Sequence, residues 1–122
     1  MTAQSRDGTG TEFSHWLRVQ PELDSKLSKF ITTNIDFLWM NYESGLWMLI
    51  EEKRHKNWPI YPQTKIFESL HKAINHSHYR GFHYVIFENT SPEDGEIYLK
   101  NNFGTTMTIT RTELIDFLNF KF

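Results

Sequence analysis

The stretch Asn34–Lys53, NIDFLWMNYESGLWMLIEEK, limits the fold more than any other part of the chain. Ile35 to Tyr42 and Leu46 to Glu52 are almost unbroken aromatic and aliphatic runs, and Glu43-Ser44-Gly45 between them has turn composition. The pattern predicts a buried β-hairpin. Charge is nevertheless built into it, with Asp36 near the start of the first strand and Glu51, Glu52 and Lys53 closing the second. Charges in such a place must be paired, solvated at a sheet edge or bound to a metal.

Side-chain parity decides which of these groups can meet. Asp36, Leu38, Met40 and Tyr42 share one face of the first strand, and Trp47, Leu49, Glu51 and Lys53 share one face of the second. A two-residue turn at Ser44-Gly45 sets Asp36 opposite Lys53, with Glu51 diagonally across on the same face. A three-residue loop without a bulge brings Glu52 to that face instead.

With 122 residues the chain suits one compact domain, expected over residues 11–122 behind a flexible tail of residues 1–10. Aromatic residues form 16% of the chain, so the core must be built largely from rings. A net charge of −2 supplies no general attraction to nucleic acid, so any polyanion needs a locally basic groove or bound cations. The absence of cysteine removes thiol catalysis, disulfides and zinc ribbons. No apolar run reaches membrane-spanning length and no signal-peptide pattern opens the chain, so a soluble, cytoplasmic protein is expected.

Along the chain, Thr11 caps a helix carrying Phe13, Trp16 and Leu17, and Glu22 to Ile31 has helical spacing of Leu23, Leu27, Phe30 and Ile31. After the hairpin comes a basic run, Arg54-His55-Lys56, and then a helix from about Pro62 to His76. Gln63, Phe67, Leu70 and Ile74 form one line on that helix, aimed at the sheet. Tyr79-Arg80-Gly81 reads as a turn, Phe82 to Phe87 as a strand buried on both faces, Glu96 to Leu99 as its hairpin partner and Met107 to Thr110 as an edge strand. A last helix follows Thr110, with Leu114, Phe117 and Leu118 on one side. The fold class is α/β or α+β, with a mixed sheet of four or five strands flanked by helices.

Asp36 on one hairpin strand and Glu51-Glu52-Lys53 on the next resemble the core of the PD-(D/E)XK nuclease superfamily, the restriction-endonuclease-like fold, over about Glu12 to Leu99. Gln63 matches a glutamine or lysine that several members place on the following helix, and Glu12 a glutamate that some place on the first. Ile35 stands where the family has a proline. The resemblance implies a metal-dependent deoxyribonuclease leaving a 5′-phosphate. Asp36, Glu51 and the main-chain carbonyl of Glu52 would hold Mg2+ or Mn2+, with Glu12 as a further contributor. Lys53 would orient the attacking water and offset developing charge, or act as its base, while Gln63 positions water or phosphate. Arg54, Lys56 and Lys65 would contact DNA. A chain this small would act as a homodimer or within a larger complex to cut both strands.

Each assignment has a plainer reading beside it. Asp36 and Lys53 would otherwise be a cross-strand ion pair, Glu51-Glu52-Lys53-Arg54 a solvated strand end, and Glu12 an acid favoured by the helix dipole. A nuclease-like fold retained as a protein-binding or inhibitory module is the alternative function. His71, His76 and His78 lack the spacing that stacks two imidazoles on a helix, His83 is expected on the less buried side of its strand, and Trp16, Trp39 and Trp47 are expected in the core.

Overall fold

The computed structural model describes residues 12–23, 33–54, 63–88 and 91–121. The N-terminal tail, most of the expected Glu22–Ile31 helix, and His55, Lys56 and Trp58 lie outside the described residues. Two compact units are present, Met1–Ile35 and Asp36–Phe122. In the first, helix α1 (Glu12–Val19) is followed by a single 3-10 turn (Pro21–Leu23), and Phe13 and Trp16 stack with ring centroids 6.2 Å apart. Trp16 is 53% exposed, contrary to its expected core position, because these rings cover each other and leave their outer faces to solvent.

The second unit is an α+β structure. Strands β1 (Phe37–Met40), β2 (Trp47–Lys53), β3 (Tyr79–Phe87), β4 (Ile97–Asn101) and β5 (Thr106–Ile109) lie in one five-stranded mixed sheet in that order. Only β2 and β3 run parallel, joined by a crossover that contains α2 (Gln63–Ala73). Helix α3 (Arg111–Leu118) closes the chain behind a capping box, in which Thr110 Oγ1 accepts from the Glu113 N–H and the Glu113 carboxylate accepts from the Thr110 N–H.

The two faces of the sheet serve different purposes. Met48, Ile50, Val85, Phe87, Ile97 and Leu99 pack against Leu114 and Phe117 of α3 in an apolar cluster, and the buried His83 ring meets Phe117 edge-on at 5.0 Å beside it. On the opposite face Phe67 of α2 stacks on Phe82 at 4.7 Å, and Phe103 adds a ring at 5.3 Å from Phe82. Glu51, Lys53 and Tyr84 belong to this second face. Of the apolar line expected on α2, Phe67 is buried while Leu70 is 37% exposed, because the helix touches the sheet chiefly around Phe67.

Strand β1 also departs from expectation. Its four residues are all exposed, Trp39 included, since β1 is the outer strand of the sheet and neither helix covers it fully. The Trp39 indole N–H does reach the Leu118 carbonyl at 2.8 Å. His83, in contrast, is 1% exposed: its Nε2 lies 2.7 Å from the Arg80 carbonyl and its Nδ1 2.9 Å from Asn101 Oδ1. Burial holds its pKa below the usual histidine value, against the two hydrogen bonds.

The expected turn at Gly81 is instead a bulge within β3. Trp47 pairs with Tyr79 and Leu49 with Phe82, so three residues of β3 span two of β2. Gly81 takes φ +103°, and Asn102 clasps the strand beyond it, donating its N–H to the Phe82 carbonyl and accepting the Phe82 N–H on Oδ1. A Cβ at position 81 would collide with Asn102 Oδ1 and lie 2.9 Å from His83 Nε2. Gly81→Ala is therefore expected to destabilise the fold by about 2 kcal/mol or more, read as a lowered midpoint in urea unfolding.

Candidate functional site

The hairpin loop sets the register at the site. Asn41 accepts the N–H groups of Glu43 and Ser44 on its side-chain oxygen and that of Gly45 on its carbonyl, while Ser44 Oγ accepts from Leu46. Gly45 sits at φ +78°, where a side chain is disfavoured. These bonds close a four-residue loop, Tyr42 to Gly45, rather than the two-residue turn expected. Phe37 then pairs with Ile50 and Met40 with Trp47. One step further along, Asp36 lies level with Glu51, two residues from the expected partner Lys53. The parity is unchanged because both loop lengths are even, so Glu51, and not Glu52, shares the face of Asp36.

Two reciprocal hydrogen bonds hold this end of the ladder. The Asp36 N–H donates to Glu51 Oε1 at 3.0 Å, and the Glu52 N–H donates to Asp36 Oδ2 at 2.9 Å. A strand residue points its N–H and C=O to the same side, so the Glu52 carbonyl is also directed toward Asp36. Lys53 Nζ lies 3.7 Å from Glu51 Oε2 and donates to Gln63 Oε1 at 3.3 Å, with both charged side chains buried. Gln63 opens α2, so the helix supplies the lid over Lys53.

Electrostatics mark Glu51 as the unusual group. Its pKa rises from 4.5 to about 7, first because burial penalises the carboxylate. The Asp36 N–H works against that shift, the negative charge of Asp36 adds to it, and the Lys53 ammonium offsets part of it. A site with two close carboxylates, one of them at the edge of ionisation, gains from a cation.

Tyr84 is a member of the site that sequence reasoning missed. It pairs with Glu51 across β2 and β3 and is 1% exposed, and among the described residues its buried hydroxyl meets no partner in good hydrogen-bonding geometry, Thr64 making only a looser approach. Burial chiefly raises its pKa; Thr64 lowers it, and the charges of Glu51 and Glu68 raise it further. The sequence offers little signal for it, since FHYVIF is uniformly apolar apart from His83.

The remaining expected residues are placed as follows. Arg54 is exposed, 3.7 Å from Glu52 Oε2 and with its guanidinium 5.9 Å from the Phe87 ring centroid. Lys65 is exposed on α2. Glu12 is exposed in the first turn of α1, in the other unit. Among the described residues, no group of three or more histidine, aspartate and glutamate side chains is poised around a cation, which leaves the oxygen set as two carboxylates and a carbonyl. No protein-family model, curated protein or solved structure matches the chain.

The raised pKa of Glu51 has a consequence for stability. The folded state holds this proton more tightly than the unfolded chain, so its contribution is complete below about pH 4.5 and is lost as pH rises through about 7. The difference between wild type and Glu51→Gln in urea unfolding is expected to change by about 2–3 kcal/mol between pH 4 and 8, with wild type losing ground as pH rises.

Proposed function

We propose that the chain is a metal-dependent nuclease that hydrolyses DNA phosphodiester bonds. The convergence of Asp36, Glu51, the Glu52 carbonyl and Lys53 at one end of β1 and β2 carries this reading. The oxygen set suits a hard divalent ion, which keeps several waters and needs few protein ligands. Asp36, Glu51 and the Glu52 carbonyl would hold Mg2+ or Mn2+. Bound there, the ion would neutralise the scissile phosphate and make water a better nucleophile near neutral pH.

The chain's own residues supply the rest. Lys53 presents a buried ammonium steadied by Glu51 and Gln63, which orients the attacking water and offsets charge growing on the phosphate oxygens. Gln63 keeps the ammonium from collapsing onto Glu51 alone. Arg54 and Lys65 give local positive charge for the DNA backbone in a chain whose overall charge is −2. The order of elements, with an acid on one hairpin strand, acid-x-lysine on the next and a glutamine on the following helix, also supports the restriction-endonuclease-like reading.

Incubation with linear, circular and branched DNA is expected to give cleavage only with Mg2+ or Mn2+, reduced at least about 100-fold in Asp36→Ala and Lys53→Ala. Cleavage that survives both substitutions, or none with either ion, overturns the proposal. Glu51 must be ionised to hold the cation, so the Mg2+-induced rise in thermal midpoint is expected to be larger at pH 8 than at pH 6 and absent in Asp36→Ala.

The exposed apolar strand β1 favours a second reading, a nuclease-like fold that works by binding another protein. A tight protein partner together with no Mg2+- or Mn2+-dependent thermal shift would select it.

A further inference from the structure

The two edges of the sheet differ in a way that points to a partner. Strand β5 alternates Thr106, Met107, Thr108 and Ile109. Strand β1 is Phe37-Leu38-Trp39-Met40, exposed by 48, 64, 43 and 51%, and Tyr42 just beyond it is 92% exposed. Edge strands are ordinarily protected by lysine, proline, a bulge or a covering element. None of the first three occurs in β1.

The main chain of β1 is self-complementary. The Asn41 N–H donates to the Leu46 carbonyl, so with the observed register Phe37, Trp39 and Asn41 direct their polar groups toward β2. Leu38 and Met40 consequently turn their N–H and C=O groups away from the sheet. Two outward residues separated by one are what an antiparallel pairing of a strand with its own copy requires.

We infer that two copies of the chain join edge to edge through β1, antiparallel about a two-fold axis at Trp39, into one continuous ten-stranded sheet. Leu38 of each copy pairs with Met40 of the other, which closes four main-chain hydrogen bonds. Opposed residues point to the same face, so Leu38 meets Met40 on the α2 side and the Trp39 rings meet on the α3 side. No charged residue lies within the paired strands. The exposed parts of Phe37, Leu38, Trp39, Met40 and Tyr42 amount to about 600 Å2 per copy, close to the about 800 Å2 per partner that stable interfaces bury.

The axis is perpendicular to the sheet, so both candidate sites fall on one face. Asp36 of each copy is level with Tyr42 of the other, which separates the two Asp36 residues by about 20 Å along the strands. Resting on the nuclease reading, that spacing would let the pair of sites address the two strands of one duplex. The dimer itself is independent of that reading.

Sedimentation equilibrium of the full chain decides the matter. Wild type is expected to dimerise, and Met40→Pro and Leu38→Lys are each expected to weaken dimerisation at least about tenfold, with unchanged far-ultraviolet circular dichroism. Proline at 40 deletes an outward N–H without touching the β1–β2 bonds, and lysine at 38 places charge on the edge. If Met40→Pro does not fold, Leu38→Lys decides alone. A wild type that stays monomeric at high micromolar concentration, or a dimer that the folded variants leave intact, overturns the inference. A dimer without nuclease activity keeps this interface and removes the nuclease reading; a monomer that cleaves DNA does the reverse.

Discussion

The reciprocal hydrogen bonds between Asp36 and the Glu51-Glu52 pair hold the site and the register together. Each carboxylate spends one oxygen on a main-chain N–H of the opposite strand, so neither side chain can swing away without opening the ladder end. Both bonds close across the end of a strand of only four residues, which makes them a clamp on its register. A slip of one residue would exchange Glu51 for Glu52 on the α2 face, and both bonds would be lost with it.

Burial of Glu51 and Lys53 is poorly explained by stability. Their closest approach is 3.7 Å, long for a buried ion pair, and the desolvation of two charges is seldom recovered by such a contact. The α3 side of the same sheet shows the alternative, an apolar cluster whose buried ionisable neighbour, His83, is hydrogen-bonded at both ring nitrogens and pushed toward its neutral form by burial. Placing a lysine and a glutamate at the end of β2, beneath Gln63, makes better sense as a prepared electrostatic environment than as packing.

Much of this arrangement was legible in the sequence, and the reasons differ by element. Period-two alternation narrowed the partner of Asp36 to Glu51 or Glu52, with loop parity left to choose, and the helical spacing of Gln63 and Phe67 aimed Gln63 at the end of the second strand. Loop length escaped, because it depends on Asn41 folding its side chain back over Glu43 and Ser44. An apolar run bounded by turns looks the same whether the strand is central or at an edge, so exposure of β1 was invisible. His83 was misjudged because its burial rests on Arg80 and Asn101, contacts made through the bulge and the neighbouring strand. Tyr84 escaped for a related reason: only the long-range β2–β3 register places it beside Glu51.

The single parallel pairing in the sheet has a bearing on how the protein acquires its site. The β1–β2 hairpin and the β3–β4–β5 meander close through short loops and can form early, each from neighbouring sequence. Joining them requires the whole crossover containing α2 to be ordered, and such loop closure is entropically slow. Asp36 and Glu51 can meet within the hairpin alone, while Lys53 gains Gln63 and Glu51 gains its buried surroundings only once the crossover is ordered. The acid pair is local in sequence and its environment is not, so the raised pKa of Glu51 belongs to the docked sheet and not to the hairpin by itself.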